Sequence, residues 1–502
     1  MSTGAEDGVR VLTVDVGSSS VRAALYDAAG EEVRGTDTSL PHELRLTPPG
    51  AATKDAGELF ELVVRAVDET LERSRAAGAG EIAAVAFSTF WHGLLGLDGE
   101  GHPTTPVLAW ADRRSAGAAA ELRGRTDEEA VHRRTGSPFH SSYWPAKLLW
   151  LHSEAPQAAA RTRRWVSPGD YFYYRLFGRD GLRTGTSMAS ATGLFDQHRR
   201  EWDAGLPEVL SDALPTGASE LPPVSDEPLR GLAGEWARRW PELAGVPWYP
   251  ALGDGACSNV GSGCTSRDRL AVMIGTSGAM RALWKAESVD IPPGLWCYRS
   301  DPDRFVMGGA LSDGGNLASW LGRALRLPDE EETERALAAM APDAHGLTFL
   351  PLLAGERGPG WSDLANGTIS GLSMSTGPVE ILRAAMEAVA LRLALIARRL
   401  EEALPGAADE RRVIASGGGL TGSPAWTRMV ADALGRPVTL SGAREASSRG
   451  AALLTLEALG GGPIEEARTP LGETYEPDPD AHTAYQEALR RQQRLYEAVL
   501  RD

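Results

Sequence analysis

Two short segments of like form, about half a chain apart, constrain this sequence more than any other feature. Val14-Asp15-Val16-Gly17-Ser18-Ser19 ends an apolar run with a carboxylate, a glycine and two hydroxyls. Ile274-Gly275-Thr276-Ser277 has the same closing form: a branched apolar residue, glycine, then two hydroxyls. Each reads as a strand entering a turn, and a chain of 502 residues outgrows a single core. Two similar α/β lobes facing each other across a cleft would bring both turns to one polyphosphate. Glycine lets backbone N–H groups approach phosphate oxygens, and the hydroxyls donate as well. Between the turns stands a lone carboxylate, Asp254, in Gly253-Asp254-Gly255-Ala256. A nucleotide clamp with a general base would look like this, which points to phosphotransfer. Taken alone, the same residues also describe a hairpin with a surface acid and an ordinary Asp-Gly turn.

Elsewhere the chain alternates strand and helix. Residues 9–16 and 21–26 read as strands around the 17–20 turn, and 27–30 as a second turn. Helical spacing covers 58–76, a buried strand follows at 82–88, and strand signals return near Trp248 and at 270–274. A Pro-, Gly- and acid-rich stretch at 206–231 reads as surface loop. A long helix is expected at 378–404, started by Pro378, with Ile381, Leu382, Ala385, Val389 and Leu393 on one face. The short strand 413–415 enters Gly417-Gly418-Gly419, and a helix rich in Ala, Arg and Gln from Ala481 should cover the second lobe. The pattern is α/β. The expected domains are 1–263, 264–470, and a helical tail at 471–502.

The formal net charge of −17 argues against a general nucleic-acid binder. If the substrate is an anion, local cations must line its site against that field. Cys257, Cys264 and Cys297 have neither metal-ligand spacing nor an even count. No apolar run reaches membrane-spanning length, and MSTGAEDG carries no signal-peptide apolar region. A cytoplasmic protein is expected. Neither a GxxxxGK[ST] loop nor a GxGxxG after a strand occurs.

Several motifs in fixed order carry a resemblance. They are WHGLLGLDGEG from Trp91, Trp110-Ala111-Asp112-Arg113, TGSPFH from Thr135, and ASATGLFD from Ala189. LAGERGPGW follows from Leu353, then GTISGLSMSTGPVEILRAAME at 367–387. With the Asp15 turn, the Asp254 turn and IGTSGAMR from Ile274, the chain resembles the FGGY carbohydrate kinases from about residue 11 to 460. Within them it is most similar to gluconokinases. The resemblance implies two actin-like (ribonuclease H-like) domains with ATP and sugar meeting in the cleft, and Mg²⁺ as cofactor.

It also implies roles. Asp254 falls on the family's catalytic aspartate, and Asp15 is placed to hold hydrated Mg²⁺. Gly17, Ser18 and Ser19 form the first phosphate turn, and Gly275, Thr276 and Ser277 the second. Gly314 and Gly315 lie near the phosphates; Gly417, Gly418 and Gly419 leave room beside adenosine. Trp91, His92 and Asp112 occupy polyol-reading positions, with Trp91 standing where gluconokinases and xylulokinases usually carry Met. Arg281 is expected to grip an aldonate carboxylate, worth about 1.5–3 kcal/mol, with Lys147, Arg113 and His140 as further candidate cations. A salt-bridged strand arginine is the plain alternative. Glu356 and Arg357 read as a structural charged pair. The implied reaction is phosphorylation of D-gluconate at its primary hydroxyl, with xylulokinase or another polyol kinase as the alternative. A non-catalytic actin-like sugar sensor is the rival from another class. The expected partner is a small sugar or sugar acid, with a homodimer as an option.

Overall fold

The computed structural model describes residues 8–211, 220–406 and 410–500. Five strands, β1 (Arg10–Val16), β2 (Ser20–Tyr26), β3 (Thr38–Pro41), β4 (Ile82–Thr89) and β5 (Leu252–Gly253), form one sheet in the order 3-2-1-4-5. β1 is antiparallel to β2 and parallel to β4, and β5 is parallel to β4. The second sheet repeats this plan. Its strands are β6 (Arg269–Ile274), β7 (Gly278–Lys285), β8 (Trp296–Arg299), β9 (Arg304–Leu311), β10 (Arg412–Ser416), β11 (Val438–Ser441) and β12 (Leu471–Tyr475). Their order is 8-9-7-6-10-11-12, with β6 antiparallel to β7 and parallel to β10. Strands 9-7-6-10-11 of the second sheet thus match 3-2-1-4-5 of the first. The faint four-residue repeat is the visible trace of this shared topology, and both repeated turns join the first two strands of a sheet. The fold is the expected pair of actin-like α/β lobes.

β1 and β4 are apolar and buried along nearly their whole length, as strands covered on both faces must be. Helix α1 (Ala56–Ala77) packs its face of Leu59, Phe60, Val63 and Val67 on the first sheet. It is capped by Asp55 at one end and the left-handed Gly78 at the other. The central helix of the second lobe runs Pro378–Ala403, and the final helix, Pro479–Leu500, covers that lobe through Tyr485, Ala488 and Leu489. The tail also contributes β12, an edge strand antiparallel to β11, so it is built into the second sheet. In the 206–231 stretch a short helix occupies Leu206–Val209 and Leu229 is buried; 212–219 lie outside the described residues.

One helix crosses between the halves of the chain. Ala446–Ala458 comes late in sequence, yet Ala451, Leu453 and Leu456 belong to the first lobe's core. It lies directly on the helix Asp254–Gly261. A Cβ on Gly261 would overlap the carbonyl of Ala446, and one on Gly450 that of Cys257. Only glycine permits that approach at both points.

Candidate active site

Asp254 is the first residue of its helix, so its carboxylate sits where unpaired N–H groups converge. Oδ1 accepts from the Gly255 amide at 2.7 Å. Ser187 holds the turn through its hydroxyl, which accepts from the Gly253 amide at 3.0 Å, and Ser447 donates to the Asp254 carbonyl at 3.3 Å. Burial raises the Asp254 carboxyl above its ordinary 3.8, opposed chiefly by the Arg281 guanidinium.

Asp254 opens into a cavity of about 260 Å³ lined also by Asp15, Gly17, Ser18, Ser19, Trp91 and His92. Gly275, Thr276, Ser277 and Arg281 enter it from the second lobe. A wider, open cavity of about 1520 Å³ adjoins it, lined by Gly315, Gly418 and Gly419. Gly275 and Thr276 belong to both walls. The β6–β7 turn is therefore shared by a small chamber and a large, more open one.

Backbone packs densely around that turn. Gly275 and Thr276 carbonyls accept from the Gly315 and Asn316 amides at 2.8 and 3.0 Å. Gly314 lies against Ser277 and lines neither chamber. Gly417, at φ +88°, lies against Ile274 and Gly275, where a Cβ would stand 2.5 Å from the Ile274 carbonyl oxygen. The helix Gly315–Ala324 begins at this point, its first two amides holding the β6–β7 turn in place.

Asp15 is 3 % exposed and lies 3.7 Å from Arg22, which also reaches Glu445 at 3.2 Å. Its Oδ1 is buried with no partner. Burial raises this carboxyl to about 6, with Arg22 opposing. An orphaned carboxylate oxygen among hydroxyls, facing a second carboxylate in one chamber, fits a hard cation such as Mg²⁺.

His92 has φ +67° and its Nδ1 donates to the Ala191 carbonyl at 2.7 Å. Burial holds the imidazole neutral, well below its ordinary range. With the proton fixed on Nδ1, Nε2 is left as an acceptor.

The other predicted polar groups divide. Asp112 is buried but does not line the chamber: Arg114 grips both its oxygens, Nη2 at 2.6 Å, and the Ala52 amide donates at 3.2 Å. The neighbouring Trp110 faces the chamber instead. Lys147 spends its ammonium on the carbonyls of His92, Ala109 and Leu108 at 2.7, 3.0 and 3.3 Å, so it is a buried strut between two loops. His140 contacts Asp363 at 3.1 Å and burial lowers it to about 4, leaving it neutral. Arg113 donates to the Asp363 carbonyl. Of the four candidate cations only Arg281 reaches the chamber. It is 5 % exposed, its Nε and Nη2 have no partner, and burial lowers it to about 10, still protonated at neutral pH.

Glu356 and Arg357 do not pair with each other. Glu356 binds Arg392 and Tyr496, while Arg357 enters the chamber with its guanidinium 4.3 Å from the Trp110 ring centroid. Its Nη2 donates to the Leu311 carbonyl at 3.0 Å and its Nε has no partner. Adjacent opposite charges suggested a pair; successive residues of an irregular loop point in different directions, and Arg392 was the nearer partner. Arg357, read from sequence as half of a pair, is a chamber cation, and Arg22, which sequence reading did not single out, is another.

The chain matches the family model described as "FGGY family of carbohydrate kinases, N-terminal domain" at residues 10–261, and its C-terminal counterpart at 270–459. It is 28 % identical to a gluconokinase of Bacillus subtilis over 468 residues, 90 % of this chain and 88 % of the relative. Crystal structures of a xylulose kinase and a gluconate kinase, both from Lactobacillus acidophilus, each match with TM-score 0.86 and 25 % identity, covering 98 % of both chains.

Proposed function

The chain belongs to the FGGY family of carbohydrate kinases, phosphotransferases with an alcohol acceptor, and we propose that within it this enzyme phosphorylates a sugar acid, D-gluconate at its primary hydroxyl, from Mg·ATP. The observation that carries the choice is charge. Among the described residues the chamber is lined by Arg22, already paired with Asp15 and Glu445, and by Arg281 and Arg357, which carry N–H groups with no partner. The whole chain carries −17. A buried guanidinium with unpartnered N–H groups is costly unless an anion meets it, and Arg281 and Arg357 are both in that state. An aldonate carboxylate supplies the anion.

In this reading Asp254 takes the hydroxyl proton, His92 Nε2 accepts from a sugar hydroxyl, and Trp110 offers an apolar face. The two turns hold the phosphates, with adenosine in the open chamber beside Gly418 and Gly419. Asp15 is the residue that would hold Mg²⁺, whose contribution is to neutralise phosphate charge during transfer. A neutral pentulose is the second reading, favoured by the equal structural match to a xylulose kinase.

Steady-state kinetics on Arg281→Ala separate them. The KM for gluconate should rise at least about tenfold, the loss of one charge-assisted contact, with the KM for D-xylulose little changed. Equal effects on both sugars would remove Arg281 as a carboxylate reader. Better turnover of xylulose by the native enzyme would replace the acid with the ketose.

A further inference from the structure

Trp91 carries a polar-chamber position yet is 5 % exposed, and its indole lies flat along the Asp254 turn. A Cβ on Gly253 would overlap its Nε1, Cε2 and Cδ1; one on Gly255 would overlap Cζ3. The pyrrole ring thus covers one glycine flanking Asp254 and the benzo ring the other. Ser187 ties the pair together: its carbonyl accepts from Trp91 Nε1 at 3.1 Å and its hydroxyl from the Gly253 amide at 3.0 Å. From behind, Trp91 is held edge-on by Tyr298 and Trp296, at centroid distances of 5.1 and 5.9 Å. Those two rings stack on each other at 4.4 Å.

We infer that Trp91 is a positioning residue: its indole is the seat that fixes the Gly253-Asp254-Gly255 turn. This rests on Asp254 being the general base. Glycines on both sides make the turn pliable, and a tight aromatic lid with a hydrogen-bonded edge removes that freedom. Displacing a reacting group by about 1 Å can cost on the order of 10²-fold in rate. Besides Trp91, the groups facing Asp254 are Asp15 from β1, Arg281 from β7, Arg357 from its loop and Cys257 from its own helix.

Trp91→Phe distinguishes a seat from a sugar platform. Phenylalanine still offers an aromatic face to a sugar but cannot cover both glycines or reach the Ser187 carbonyl. The seat requires kcat to fall about 10–100-fold with the gluconate KM within about threefold. ATP binding by titration calorimetry and the melting temperature serve to verify the fold. A raised KM at preserved kcat would make Trp91 a sugar platform, and an unchanged kcat and KM would make it a packing residue; either overturns the proposal. As a second test, Gly253→Ala should cost at least about tenfold in kcat alone but under about threefold in the Trp91→Ala background. Equal costs in both backgrounds would mean the indole does not constrain the turn. Asp254→Asn is run alongside. Native turnover there would remove the premise, whereas its loss together with an intact Trp91→Phe would remove the seat alone.

Discussion

Replacing Asp15 with asparagine should make the unliganded protein more stable. The carboxylate is 3 % exposed and burial raises it from 3.8 to about 6, even with Arg22 at 3.7 Å. A pH unit is about 1.4 kcal/mol, so the charge costs about 3 kcal/mol at neutral pH. Asparagine keeps the shape without the charge, and Arg22 retains Glu445 at 3.2 Å. For a lobe of this size that corresponds to a rise of about 5–10 °C in melting temperature. The sign has a pH signature. Below about 3.8 both folded and unfolded states hold the proton, and the variant gains nothing. Between 3.8 and about 6 the folded state keeps a proton that the unfolded state has released, so native stability falls as pH rises. Above about 6 the full difference is present. Calorimetric melts of both proteins from pH 4.5 to 8, without nucleotide or magnesium, measure it. An advantage that is absent, or equal at pH 4.5 and 7.5, would refute the account of Asp15 as a buried, undercompensated charge. The same variant should lose sugar phosphorylation, because the unpaired Asp15 Oδ1 is the oxygen offered to the cation.

Asp254→Asn should lower turnover by about 10²–10⁴ while leaving ATP affinity unchanged in a calorimetric titration. Lys147→Met strands the carbonyls that its ammonium joins and should lower stability by about 2–4 kcal/mol in urea unfolding, with the gluconate KM rising because His92 is one of the tethered residues. Gly417→Ala forces a side chain onto the Ile274 carbonyl at φ +88° and should raise the KM for ATP about tenfold or more, with the sugar KM little changed.

What the sequence made legible was local. The strands at 10–16 and 269–274, the helix begun by Pro378 and the two glycine-hydroxyl turns follow from apolar runs and turn chemistry that neighbours in the chain supply. The repeat of those turns suggested two α/β lobes, and the ordered motifs resembling FGGY kinases implied them. Less legible was the direction of individual polar side chains, which is decided by partners far away in sequence. Asp112 turns to Arg114 and the Ala52 amide rather than to the chamber, and Lys147 turns to three carbonyls. Glu356 finds Arg392 across the second lobe and leaves its neighbour Arg357 free to enter the chamber. The helix Ala446–Ala458 was equally hidden, since nothing in its own pattern names the sheet it packs on; the glycine contacts at Gly261 and Gly450 decide that.

That helix also bears on how the base is tuned. Asp254 begins a helix packed into the first lobe, whereas Arg281 lies on β7 of the second sheet. The guanidinium that opposes the effect of burial on Asp254 is therefore supplied from the other lobe. Nη1 of Arg281 would stand only 2.7 Å from a Cβ on Gly255, so the approach is close when the lobes are together. Separating them would take the cation away and admit water to the carboxylate, two changes that act on its proton affinity in opposite directions. The proton affinity of Asp254 thus depends on how the two sheets are placed. With Asp254 as the proposed base, a closing cleft would couple proton removal to chamber formation, because the geometry that completes the chamber is the one that brings Arg281 to Asp254.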